Sequence, residues 1–424
     1  MVSKNNRIKK FEQASEKKSR FGIRTLSVGT ASVLLGTVFW ISGNIGTAHA
    51  ATVSDKTDAT TDVNKESLQS EDSNLTASED LVPEGSAPES SAPEVITPVS
   101  SEPQSSSKTE NDPPQNVVDN NTPYGKHGAL SVNGAYLVDS HGQKTQLRGM
   151  STHGIAWFPQ YVNYNTFKFL RDDWNTNCIR LAMYTYESGG YCSDGNKADL
   201  KQLVKNGVDY ATQLGMYVII DWHILNEQNP LRFKDEAKAF FDEMSKLYAN
   251  NGNVIYEICN EPNNTGWGDI KAYANEIIPV IRANSPNSVI IVGTPTWSQE
   301  IDQAAASPLN FDNLMYTLHF YADTHTDWLR SRMENCINGG LPVFISEFGM
   351  CDASGNGNVN EWQSNQWKSL IDKYNVSYMC WNLANKNESS SILNSGCDKL
   401  YGWTDGDLST QGRLIRDWFI GEKD

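Results

Sequence analysis

Between residues 146 and 382 the chain repeats one pattern eight times: a short, near-continuous apolar run, a loop, then a stretch with helical spacing of its apolar positions. The runs are 146–150, 178–183, 217–222, 254–258, 289–292, 315–319, 343–346 and 377–382. Strands buried on both faces read this way, whereas a half-exposed sheet alternates apolar and polar residues. Among the intervening segments, 200–214, 235–248, 269–283 and 362–374 carry the helical period most clearly. Regular βα alternation over about 300 residues predicts an α/β fold, a (β/α)8 TIM barrel, although a doubly wound parallel sheet gives a similar pattern.

The region before this repeat has a different character. Residues 1–50 carry eight Lys and Arg against two Glu, residues 51–122 three against fifteen acidic residues, and the remainder 24 against 34. Basic residues Lys17, Lys18, Arg20 and Arg24 precede an apolar run over 26–45 and then Ala48-His49-Ala50, the layout of an export signal cleaved after residue 50. The run is marginal in length for a bilayer, which favours a cleaved signal over the alternative of an uncleaved membrane anchor, and no stable membrane insertion is expected after cleavage. Within it, Phe21-Gly22-Ile23-Arg24-Thr25 followed by Gly29 and Ser32 resembles the YSIRK-type signal of Gram-positive surface and secreted proteins. The chain stops at Gly421-Glu422-Lys423-Asp424 without an LPxTG sorting motif, so covalent wall anchoring is not expected. Residues 51–122 are Ser, Thr, Pro, Asp, Glu and Asn, with too little apolar surface to offset the entropy of ordering, and are predicted to be a disordered acidic linker. Three domains follow: signal peptide 1–50, linker 51–122 and catalytic domain 123–424. The acidic balance of the last argues against a nucleic-acid partner.

The seven cysteines are an odd number and include no C-x-x-C pair, so neither a metal site nor a cofactor is expected. In a (β/α)8 barrel, reactive side chains project from the C-terminal ends of strands. At those positions the chain carries Met150-Ser151-Thr152-His153-Gly154, Arg180, Asp221-Trp222-His223, Asn260-Glu261-Pro262, His319-Phe320-Tyr321, Ser346-Glu347-Phe348-Gly349 and Cys380-Trp381-Asn382. Asn-Glu-Pro after the fourth run and Glu-Phe-Gly after the seventh resemble glycoside hydrolase family 5, and the fuller set is similar to its bacterial endoglucanases. The resemblance extends from Tyr124 to Gly421, with Gly293-Thr294-Pro295-Thr296-Trp297-Ser298 and Trp381-Asn382-Leu383 as further matches.

That resemblance implies an endo-β-1,4-glucanase that retains anomeric configuration and attacks cellulose or mixed-linkage β-glucan. It makes Glu261 the acid/base and Glu347 the nucleophile, with carboxyl groups ~5–5.5 Å apart. Arg180 and Tyr321 are expected to hydrogen-bond Glu347, His319 to tune Glu261, and Asn260 to contact the sugar 2-hydroxyl. Substrate-binding roles fall to His153 and His223 for hydroxyls; Trp381, Trp157 and Trp297 for stacking at the reacting, glycone and aglycone positions; and Tyr184, Lys386 and Glu388 along the groove. Trp174, Trp328, Trp362, Trp367 and Trp418 lie in helical stretches and are assigned to packing, as are the thiols of Cys259 and Cys380. The alternatives are another family 5 specificity, such as a mannanase or xyloglucanase, and an inactive glucan-binding surface protein. The expected state is a secreted monomer whose partner is β-glucan, with loose association with a Gram-positive envelope as a variant.

Overall fold

The computed structural model describes residues 119–422. The export signal and most of the predicted linker lie outside the described residues. Thr122, whose hydroxyl accepts from Gly125 N at 3.1 Å, caps the first helix, Pro123–His127.

Eight parallel strands close into a barrel: β1 Arg148–Thr152, β2 Cys178–Tyr184, β3 Tyr217–His223, β4 Val254–Glu257, β5 Ile290–Val292, β6 Leu314–Tyr321, β7 Val343–Gly349 and β8 Tyr378–Leu383. Each strand neighbours the next in sequence, and β8 pairs with β1. A helix follows each strand: α1 Tyr164–Trp174, α2 Lys197–Gln213, α3 Lys234–Leu247, α4 Trp267–Asn284, α5 Ile301–Ala306, α6 Asp327–Asn338, α7 Glu361–Tyr374 and α8 Thr410–Gly421. All eight apolar runs became strands. The doubly wound alternative is excluded by the closure, and β6 and β7 run two and three residues past their predicted ends.

Local chemistry sets the helix limits. Asn163, Asn196 and Asn360 accept from backbone N–H groups at the starts of α1, α2 and α7. Asn175 and Asn375, at φ 57° and 51°, end α1 and α7 in the left-handed conformation that Asn tolerates.

Residues alternate along each strand between the barrel interior and the helix layer. Outward Ile179, Leu181, Val218, Ile220, Tyr256 and Ile290 join the main core beneath the helices. Inward Cys178, Tyr217, Ile219, Ile255, Ile291, Met315, Phe344 and Met379 form an apolar plug at the N-terminal end, covered by Leu130 and Leu137 around a hairpin of Ser131–Asn133 and Tyr136–Val138. The opposite end is polar. None of the seven cysteines is bonded to another.

The shell around β6 is tightly organised by Trp367 of α7. Its indole lies 3.9 Å from the Phe320 ring at an interplanar angle of 9°. Its Nε1 donates to His325 O at 2.7 Å, and Arg330 covers it at 5.6 Å. Trp367→Ala is expected to lower unfolding free energy by about 3–5 kcal/mol, the range for a large buried aromatic. Urea denaturation checks this, and a loss under about 1 kcal/mol would contradict the packing described.

Candidate active site

The C-terminal half of the barrel interior is organised around Arg180, which points inward from β2 and is fully buried. Its Nε donates to Glu257 Oε2 at 2.7 Å. Nη1 donates to Ser151 Oγ at 3.2 Å and Glu347 Oε2 at 3.3 Å. Nη2 donates to Asn260 Oδ1 at 2.6 Å and lies 3.0 Å from Asp221 Oδ2. Five partners thus face the five N–H groups that a guanidinium owns. Three of them are carboxylates on β3, β4 and β7.

Glu347 reaches this network through an irregularity in β7. Thr317 pairs with Phe344 but His319 pairs with Glu347, so β7 carries one extra residue where β6 advances by two. A bulge of this kind breaks the two-residue alternation, and both Ser346 and Glu347 turn inward. Glu347 Oε1 accepts from Tyr321 Oη at 2.9 Å. Gly349 makes room for that tyrosine, because a Cβ there would stand 2.5 Å from the ring.

Glu261 stands four residues beyond the end of β4, on the loop that leads to α4. Its Oε1 lies 2.8 Å from His319 Nδ1. His319 Nε2 lies 3.0 Å from Ser346 Oγ, which donates to Glu257 Oε1 at 2.6 Å. Burial pushes the His319 imidazole down to about 4, so the ring is neutral at pH 7 and carries one proton. Ser346 spends its hydrogen on Glu257 and accepts from Nε2–H, which leaves Nδ1 to accept a proton from Glu261. Burial pushes the Glu261 carboxyl up to about 8, with the charges of Asp221 and Glu257 adding to the rise and Arg180 opposing it. Burial also raises Glu347, to about 7, reinforced by Glu261 and opposed by His319, Arg180 and the Tyr321 hydrogen bond. Of the pair, Glu347 is the more acidic. A carboxylate oxygen of Glu261, one of Glu347 and a nitrogen of His319 all lie within 4.8 Å of one another. Two carboxylates and an imidazole are a possible cation set, but both His319 nitrogens are engaged, and Arg180 places positive charge 3.3 Å from Glu347.

These groups open onto a cleft of about 900 Å³. His153, Trp157, Tyr184, His223, Glu261, Trp297, His319, Tyr321, Glu347, Trp381, Lys386 and Glu388 all line it. Arg180 and Asn260 lie beneath its floor. His223 Nδ1 binds Asp221 Oδ2 at 2.6 Å, its Nε2 meets Asn260 Nδ2 at 3.2 Å, and its ring stacks on Trp381 at 5.2 Å and 16°. Gln411 of α8 fixes Trp381 by donating to its carbonyl at 2.6 Å. At one end Trp157 is 40% exposed, tilts 4.6 Å from Tyr184 and donates its Nε1 to Ser188 O at 2.9 Å. Gly154 permits that approach, since a Cβ would come within 2.6 Å of Trp157. Lys386 Nζ, 2.6 Å from Glu388 Oε2, lies 3.2 Å from His153 Nε2. At the other end Trp297 N donates to Pro262 O at 3.0 Å and Ser298 Oγ to Asn260 O at 2.6 Å. Thr296, Trp297 and Ser298 hold left-handed φ values of 57°, 53° and 56°. Strained backbone of this kind persists where the surroundings fix it.

Several participants escape sequence reasoning. Asp221 is met at a strand end but receives no role from sequence, and Glu257 is not singled out, although a carboxylate within an apolar run that ends buried signals a paired charge. Ser346 links Glu257 to His319 only because of the bulge. Trp328 was assigned to packing, yet it is 48% exposed and lines the cleft, because it sits in the first turn of α6 at the rim. Trp174 and Trp367 are buried as expected.

Comparison with known proteins agrees with this geometry. The family model described as cellulase (glycosyl hydrolase family 5) matches residues 138–387, and that of the YSIRK-type signal peptide matches 16–39. The chain is 48% identical to endoglucanase A of Butyrivibrio fibrisolvens over 314 residues, 73% of this chain and 72% of that protein. It is 50% identical to an endoglucanase of Clostridium saccharobutylicum over 291 residues, 68% of this chain, and spans 64% of that relative's length. Among solved structures, it resembles a Thermobifida fusca endoglucanase Cel5A catalytic domain in complex with cellotetraose, with a TM-score of 0.68 and 36% identity, covering 71% of this chain and all of that one. With a family match across the barrel and relatives near half identity, the chain is a glycoside hydrolase and belongs to the cellulase family, glycosyl hydrolase family 5.

Proposed function

We infer that the protein is an exported endo-β-1,4-glucanase acting with retention of anomeric configuration, Glu347 being its nucleophile and Glu261 its acid/base. The observation that carries this reading is the placement of carboxylate oxygens of Glu261 and Glu347 within 4.8 Å in an open cleft. Inverting hydrolases separate their carboxyl groups by ~6.5–9.5 Å to admit a water, whereas retaining ones hold them at ~5–5.5 Å. Platforms at both ends of the cleft, Trp157 and Trp297, suit a polymer that passes through and is cut internally.

In the first step a Glu347 oxygen attacks the anomeric carbon while Glu261 gives its proton to the departing glycosidic oxygen. The C–O bond to the leaving chain breaks and a glycosyl ester forms. In the second step Glu261, now a carboxylate, takes a proton from water as the water oxygen displaces Glu347 from the same carbon. Glu261 gives its proton towards the leaving group, so Trp297, bonded to Pro262 beside it, floors the aglycone side, and Trp157 the glycone side. Asn260 Nδ2 already donates to Ile224 O at 3.1 Å, and a sugar 2-hydroxyl would replace its longer 3.2 Å contact with His223. A contact of this kind strengthens as positive charge develops on the ring. The domain organisation proposed is a signal over 1–50, a linker over 51–122 and a monomeric catalytic domain over 123–424 that works outside the cell.

Glu347→Gln should lower reducing-end release and viscosity loss on carboxymethylcellulose and barley β-glucan by on the order of 10⁴–10⁶. Mannan and xylan assayed in parallel test the substrate, and hydrolysis of either one alone would overturn the glucanase assignment. The pH profile of kcat/KM should be a narrow bell. Protonation of Glu347 removes activity as pH falls through about 7, and loss of the Glu261 proton removes it as pH rises through about 8. These two limits belong to the coupled pair. On an aryl cellobioside whose leaving group needs no proton, Glu261→Ala should keep far more of its bond-breaking step than on β-glucan, where the acid is required; an equal loss on both would show that another group is the acid.

A further inference from the structure

Among the described residues, Trp328 is a strongly exposed cleft aromatic that the mechanism above does not use. It is 48% exposed in the first turn of α6 and lines the cleft together with Trp297, which is 44% exposed. Its position is built. Arg332, one turn along α6, places its guanidinium 5.6 Å from the Trp328 ring. That guanidinium is fixed in turn, because Nη1 donates to Gln299 O at 3.0 Å and Nε pairs with Asp302 Oδ1 at 3.1 Å. Gln299 is two residues past Trp297 and also lines the cleft. On the other side the His325 ring meets Trp328 edge-on at 5.8 Å and 75°. His325 accepts from Tyr321 N at 2.8 Å and its carbonyl accepts from Trp367 at 2.7 Å. The indole is therefore braced by the segment that carries Trp297 and by the strand end that carries Tyr321.

We propose that Trp328 is a stacking platform for a further glucosyl unit on the leaving-group side, beyond the one on Trp297, so that the enzyme prefers substrates with an extended aglycone portion. The proposal rests on the endoglucanase reading. Its direction follows from the bonds: Trp328 is tied through Arg332 and Gln299 to the loop of Trp297, and that loop is bonded to Pro262 beside Glu261. A sugar ring offers a C–H face to an indole, and Arg332 holds the ring in place before substrate arrives, which limits the ordering cost of binding.

The test compares cellohexaose with 4-nitrophenyl β-cellobioside, whose aryl leaving group is too short to need a second aglycone platform. For Trp328→Ala, the ratio of kcat/KM on cellohexaose to that on the aryl cellobioside should fall by about threefold to tenfold, chiefly through KM. Trp328→Phe, which keeps an aromatic face, should restore most of the ratio. A ratio unchanged in Trp328→Ala would overturn the proposal, as would an equal loss on both substrates, which is the signature of a structural role. Failure of the unaltered enzyme to cleave either substrate would instead overturn the endoglucanase reading, and the platform with it.

Discussion

The buried Arg180 guanidinium is the constraint on which the rest of the site depends. A charge taken out of water is costly unless it is paired and hydrogen-bonded, and here Glu257, Glu347, Asn260 and Ser151 accept from the guanidinium while the Asp221 carboxylate lies 3.0 Å from Nη2. The reverse also holds, since three carboxylates crowded into the barrel would be driven to their neutral forms without the guanidinium. The network spans β1, β2, β3, β4 and β7, so the register of five strands is fixed by one polar cluster instead of by packing alone. The plug at the other end of the barrel is wholly apolar and can be close-packed. The cost of burying charge falls at the end that opens to substrate, where Arg180, Asp221 and Glu257 are fully buried.

From Arg180 the proton affinities of the two glutamates separate. Glu347 receives the guanidinium and the Tyr321 hydroxyl, both of which favour its ionised form. Glu261 sits at the far end of a chain running through His319 and Ser346 to Glu257, and that chain suits a protonated carboxyl. Two groups of one chemical kind are thereby set to opposite tasks by their partners.

Much of this was legible in the sequence, and the exceptions have physical causes. Strands buried on both faces announce themselves as apolar runs, so the barrel could be counted from 146–382. Asn260-Glu261-Pro262 and Ser346-Glu347-Phe348-Gly349 stood out because charged residues followed such runs. The β7 bulge was invisible, because strict alternation would put Ser346 and Glu347 on opposite faces. The charge pairing of Asp221 and Glu257 is hidden for the opposite reason, since each lies inside an apolar run and its partner Arg180 is distant in sequence. The place of Trp328 is not legible because periodicity tells which residues share a helix face but not that the first turn of α6 lies at the rim of the cleft.

The central claim, that the close pair Glu261 and Glu347 works by double displacement, is tested most directly by following the anomer of the newly released sugar by proton NMR. With cellopentaose and enough enzyme to outrun mutarotation, the β-anomer should appear first and the α-anomer only later as the product equilibrates. Initial release of the α-anomer would mean a single inverting displacement, and with it a site whose carboxylates stand farther apart than the structure places them.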